Sequence, residues 1–252
     1  MSERFQFAHL ADPQIPWRGT EGLVRSVGEI NALQPAFVVV GGDMINNSGN
    51  SDDHDFGPDT AMAREYLDIM RGIDKKIAVY HVPGNHDICN QPTPETLQWF
   101  ESTFGPCWYA FEYAAVQGIV VSSDLMKFPE KARQQADAQW RWLRDTLAHN
   151  SGHRYRFIFL HHPFCLTAMD EEDSYFNMPA PIRHELAGLC HDGGVTMAFS
   201  GHVHRNAITA RGRLDMITTA SCAVPLGDDP VGFRLVTVSA DGVEHRYQRL
   251  TD

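Results

Sequence analysis

The chain has no uninterrupted apolar run of about 18 residues, so nothing in its 252 residues reads as a membrane-spanning helix. Its opening stretch, MSERFQFAHLADPQ, lacks the basic head and long apolar segment of a secretory leader. Cysteine is scarce. Cys89, Cys107, Cys165, Cys190 and Cys222 are odd in number and contain no CxxC pair, which argues against a disulfide framework and a cysteine-rich zinc site. Positive charge is short as well: 21 Lys and Arg face 32 Asp and Glu, for a formal net charge of −11. Such a surface disfavours a nucleic-acid backbone, whose condensed counterions Lys and Arg must replace. No Pro/Ser-rich linker, block of one charge or internal repeat interrupts residues 1–252, which read as a single domain. The expectation is a soluble, unsecreted, cytoplasmic protein with neither a nucleic-acid nor a membrane partner.

What is present alternates. Short apolar runs, FQFAHL, FVVV and IAVYHV, are separated by segments of helical character over Glu21 to Leu33 and Ala61 to Met70, a βαβαβ order that forms parallel sheet with right-handed crossovers. Helices follow from about Thr93 to Phe104, with Thr93 and Thr96 as caps, over Ala132 to His149, and near Ile182 to His191. WYAFEY, GIVVSS, RFIFL and VTMAF read as strands, and so does everything after Arg205, with Asp241 and Gly242 as a hairpin turn. Two sheets face to face with helices outside, a four-layer α/β/β/α sandwich, accommodate this order.

The chemistry sits where strands stop. SGHVHRN places His202 and His204 two residues apart just after an apolar run, and an extended backbone there would send both imidazoles to one side. Five strands end this way: in Asp12 with Gln14, Asp43, Asn85 with His86, His161 with His162, and His202 with His204. Carboxylate, amide and imidazole donors without a thiolate suit divalent Mn, Fe, Zn or Mg. Gly41, Gly42, Gly84 and Gly201 beside them let backbone bend tightly and approach an ion or phosphate.

In order, these blocks stand as DPQ, GGD, GNHD, HHP and GHVH, and they resemble the calcineurin-like metallophosphoesterases over nearly the whole chain. The loops GNHDICNQPTPE, DEEDSYFN, LGDDPVGFRL and HRY are similar to one branch, the family of calcineurin-like phosphoesterase domain-containing protein one, described as serine/threonine phosphatases. The resemblance implies two divalent metal ions. One would be held by Asp12, Gln14, Asp43 and His204, the other by Asp43, Asn85, His161 and His202, with Asp43 bridging. Gln14 stands where the common pattern has His; its amide oxygen is a harder and weaker donor than an imidazole, which implies a first position that is looser or that prefers Mn or Fe.

The function implied by this resemblance is hydrolysis of a phosphomonoester, on a small molecule or on phosphoserine or phosphothreonine in a protein. In such sites two cations about 3.5 to 4 Å apart activate a shared water for direct attack on phosphorus. His86 is placed to protonate or stabilise the leaving alkoxide. Asn46 and Asn47 occupy places where the phosphoprotein-phosphatase branch has Asp and Arg, which leaves Asp87 as the group to orient His86. His162 reads as a packing residue, and the run Met169 to Asp173 as a solvated loop or a cleft wall that repels anions. The same metals could serve phosphodiester hydrolysis, for example of a cyclic nucleotide. A metal-dependent binding module without catalysis is the third reading.

Overall fold

The fold is taken from a computed structural model that describes residues 4–47, 53–149 and 152–250. The elements run β1 (Phe5–Leu10), α1 (Glu21–Leu33), β2 (Phe37–Val40), α2 (Phe56–Met70), β3 (Ala78–His81), α3 (Asn85–Ile88), α4 (Pro94–Thr103), β4 (Tyr109–Tyr113) and β5 (Val116–Val120). After them come α5 (Ser123–Lys127), α6 (Arg133–Ala148), β6 (Tyr155–Phe159), α7 (Ala180–Asp192), β7 (Val195–Ser200), β8 (Ala207–Arg211), β9 (Leu214–Thr218), β10 (Gly232–Val238) and β11 (Val243–Arg249). The helix α1 occupies the residues its apolar spacing indicated, and the N-cap of α4 is Thr93, its hydroxyl accepting from Thr96 N at 3.2 Å. One reading is corrected. Ser122 and Ser123 do not extend a strand: Ser122 caps α5, accepting from Leu125 N.

The strands form two mixed sheets, one of five in the order β11-β10-β1-β2-β3 and one of six in the order β4-β5-β6-β7-β9-β8. In the first, β1, β2 and β3 are parallel, while β10 enters antiparallel between β11 and β1. In the second, β5, β6, β7 and β9 run parallel between antiparallel edge strands β4 and β8.

Alternation along each strand makes the layers. Phe7, Phe37 and Val39 point from the first sheet toward Phe157, Phe159 and Phe199 of the second, and these buried side chains form the middle of the sandwich. Their neighbours Ala8, Leu10, Val38 and Val40 face outward onto Leu23, Val27 and Ile30 of α1 and Ala63, Tyr66 and Met70 of α2. On the other side Ile158 and Ala198 pack under Leu143 and Leu147 of α6 and Leu186 of α7. Each fully buried Phe or Leu stabilises by about 1.5–3 kcal/mol, enough to fix the register that sets the strand ends. Among the described residues no helix is long and apolar enough to cross a membrane.

Candidate metal centre

The loops after β1, β2, β3, β6 and β7 meet at one edge, stitched by their own backbones. Asp12 N donates to Gly42 O at 3.2 Å, Gln14 N to Asp43 O at 2.8 Å, and Gly201 N to His161 O at 3.0 Å. His202 N reaches both oxygens of Asp12 at 3.0 Å. The backbone there is strained: Asp12, Gln14, Asp43, His202 and His204 have φ of 49°, 39°, 55°, 71° and 54°, left-handed values that non-glycine residues seldom adopt. This corrects the strand reading of the HxH pair. Strand β7 ends at Ser200, and the two imidazoles converge because a left-handed turn, not alternation, carries them.

Within that edge the donor atoms crowd together. Asp43 Oδ2 lies 3.2 Å from His161 Nε2 and 3.2 Å from Gln14 Nε2. Asn85 Oδ1 is 3.0 Å and His202 Nδ1 3.2 Å from the same His161 Nε2, and His204 Nε2 stands 3.7 Å from Asp12 Oδ1. Two overlapping groups, Asp43 with His161 and His202, and Asp12 with Asp43 and His204, each have donor atoms within 4.8 Å of one another, and Asp43 belongs to both.

The far nitrogens of the three imidazoles are already committed. His161 Nδ1 donates to Gly41 O at 2.8 Å, His204 Nδ1 to Val224 O at 2.6 Å, and His202 Nε2 to Tyr175 O at 3.2 Å. A carbonyl only accepts, so each ring carries a proton on its outer side and turns its other nitrogen to the cluster.

This set fits a pair of divalent cations. Gln14 Oε1 is buried without a hydrogen-bond partner, an orphan acceptor beside Asp43. Gly84 leaves room for Asp43, since a Cβ there would run into Asp43 Oδ1 and its amide. Burial disfavours charge on His161, yet Asp43 and Asp12 outweigh it and push its pKa up to about 10. Burial raises Asp12 to about 6 against the pull of His204 and His161. A pocket of buried carboxylates that holds positive charge against desolvation is chemically suited to a cation.

His86 stands beside the cluster, half-buried, its backbone N donating to Asp43 Oδ1 at 2.9 Å. Burial lowers its pKa, with Asp43 opposing. The reading of Asp87 as its orienting partner is corrected here. Asp87 Oδ2 accepts from Asp43 N at 2.8 Å and Gly84 N at 2.9 Å, and Oδ1 from Met44 N at 2.9 Å, so it braces two loops against each other. The group that meets His86 is Asn47, whose Oδ1 lies 3.2 Å from His86 Nδ1. Asn47→Ala is therefore expected to lower turnover roughly tenfold with metal content unchanged, checked by kinetics beside metal quantification; full turnover would show that Asn47 does not hold the ring.

Two further parts, His162 and the run Met169 to Asp173, take definite places. His162 packs its ring 3.9 Å from that of His202, with Ser123 Oγ 3.1 Å from its Nδ1. The run Met169 to Asp173 is not simply solvated. Glu171 folds back to accept from Leu166 N at 2.9 Å, Thr167 N at 2.8 Å and Asn177 Nδ2 at 2.6 Å, donors that outweigh its partial burial and lower its pKa to about 2.

Strand-end loops that bring two buried donor groups together on a shared carboxylate form a candidate metal centre. The family model for calcineurin-like phosphoesterase matches residues 5–206, so the chain belongs to that family, metal-dependent hydrolases of phosphoric esters. Serine/threonine-protein phosphatase CPPED1 of Homo sapiens is 34% identical over 238 residues, covering 93% of this chain and 74% of the human one. Its counterpart in Danio rerio is 33% identical over 267 residues, 98% of this chain and 85% of that one. Among solved structures, GAP50, described as the anchor in the inner membrane complex of Plasmodium, aligns with a TM-score of 0.71 at 14% identity over 99% of this chain and 85% of its own. A dimetal phosphatase from Danio rerio aligns at 0.61 with 17% identity, over 98% and 99% of the two chains. At those identities the likeness is one of fold.

Proposed function

We propose that this chain is a dinuclear-metal phosphomonoesterase acting on phosphoserine or phosphothreonine in proteins. The observation that carries the reading is Asp43, one carboxylate shared by two buried donor groups beside a half-buried histidine. Asp12, Gln14, Asp43 and His204 would hold one divalent ion, and Asp43, Asn85, His161 and His202 the other; Mn, Fe and Zn suit this set, and Mg its oxygen-rich side. Such a pair would supply positive charge for phosphoryl oxygens and would lower the pKa of a bound water. The protein does the rest. Asp43, which belongs to both donor groups, would tie the two positions together, and the carbonyls behind the imidazoles keep the ring lone pairs inward. His86, held by Asn47, meets the ester oxygen as it leaves and either protonates it or offsets its charge. A phosphoryl dianion beside the ring raises the histidine's pKa again, which favours the proton it must give.

The choice of a phosphoprotein rests on the names of the curated relatives. We read residues 1–252 as one domain, because β10 pairs with β1 inside the first sheet although it lies beyond the residues the family model matches. The five cysteines are free and buried, in keeping with a reducing cytoplasm. Metal-loaded protein is expected to hydrolyse a phosphoserine peptide and an aryl phosphomonoester at least tenfold faster than the aryl diester. The reverse order would make it a diesterase. Two bound ions with no turnover on any of the three would leave a binding module.

A further inference from the structure

We propose that Tyr175 is the positioning residue of the second metal position, setting the donor atoms of both Asn85 and His202 from one point on the strap between β6 and α7. The inference rests on the dimetal reading above and goes beyond its ligand set.

An asparagine amide can present either oxygen or nitrogen, and only its partner decides which. Asn85 Nδ2 donates to the Tyr175 hydroxyl at 3.1 Å, and with that end committed Oδ1 is left facing His161 Nε2. An imidazole likewise needs its proton on the far side to offer a lone pair. The Tyr175 carbonyl takes that proton from His202 Nε2, while the tyrosine ring packs 4.9 Å from the imidazole at 49°. One residue thus orients two of the four donors of the second position. The first position is set from other elements, His204 by the Val224 carbonyl and Asp12 by the His202 amide.

The point is rigid. Lys127 Nζ donates to the same carbonyl at 2.6 Å and to Ser174 O at 3.2 Å. Behind it, Arg183, a guanidinium with no exposed surface, donates to Met169 O at 2.8 Å, Met178 O at 3.1 Å and Glu171 O. Tyr175 therefore stands 46% exposed beside the donor cluster, on a strap braced from within rather than on a free loop.

Partners that orient metal ligands are typically worth about 10- to 100-fold in metal affinity. In the full-length protein titrated with Mn²⁺, Tyr175→Phe keeps ring and carbonyl but removes the hydroxyl. The variant is expected to bind its first Mn²⁺ as the wild type does and its second about 10- to 100-fold more weakly. At a Mn²⁺ concentration just sufficient to fill both wild-type positions, its electron paramagnetic resonance should show an isolated ion where the wild type shows a coupled pair, and excess Mn²⁺ should restore turnover. Glu172→Gln, at an exposed position on the same strap, should leave both ions unchanged. Unaltered binding of both ions by Tyr175→Phe, equal weakening of both, or a second ion weakened as much by Glu172→Gln would each overturn the proposal. A wild-type protein that saturates with one Mn²⁺ would overturn the dimetal reading and this proposal with it, and that failure is visible in the wild-type trace alone.

Discussion

Asp43→Asn is expected to abolish turnover and to lower bound metal, more than loss of any other donor. Asp43 is the one residue in both donor groups. Its Oδ1 takes the His86 amide and its Oδ2 faces Gln14 and His161, so both oxygens are engaged toward the cluster. Burial opposes charge there, yet His161 and His86 hold the carboxyl well below the usual carboxylate range, which marks a site built around a full negative charge. The amide removes that charge and replaces one acceptor with a donor aimed at cations and imidazole. The backbone at this position is held independently, through Asp43 N on Asp87, so the fold should survive and circular dichroism should match the wild type. Metal quantification beside kinetics decides the matter: a variant with wild-type activity, or a wild type fully active without metal, would contradict the reading.

His86→Ala should separate chemistry from metal assembly. The ring contributes no atom to either donor group, so most metal should remain while turnover falls roughly 10²-fold or more. The loss should depend on the leaving group. An aryl phosphate expels a stable phenolate and needs little protonation, whereas a serine alkoxide needs much, so the variant should suffer more on phosphopeptide than on aryl substrate. His161→Ala should instead lose metal and both activities together, since His161 Nε2 lies within 3.2 Å of Asp43, Asn85 and His202 donors. Equal impairment of His86→Ala on the two substrates would favour electrostatic stabilisation over proton donation. Coincident metal loss would move His86 among the ligands.

Much of this was legible in the sequence because it is local. Apolar spacing over Glu21 to Leu33 returns α1, and five strand ends point to the cluster because parallel strands deliver their C-termini to one edge. The misreadings have a common origin in backbone detail. His202 and His204 come together through left-handed turns, which residue spacing does not encode for non-glycine residues. Asp87 adjoins His86 in sequence and Asn47 does not, yet the side-chain directions make Asp87 the brace and Asn47 the partner. Tyr175 reaches Asn85 across a separation of 90 in residue number from a segment without periodicity, so neither composition nor spacing could mark it.

The place of β10 bears on how the molecule comes to be made. Strand β1 is synthesised well before β10, yet β10 pairs along β1 from Phe5 to His9. Until Gly232–Val238 has left the ribosome, β1 keeps an open edge, and open edges are where nascent chains pair with the wrong neighbour. Asp12 follows β1, and His202 and His204 follow β7, so the candidate donors are separated by most of the chain between them. A chain arrested after His204 would own every candidate donor and still leave β1 unpaired on that side, so the donor edge is complete in sequence before the sheet that carries it is closed.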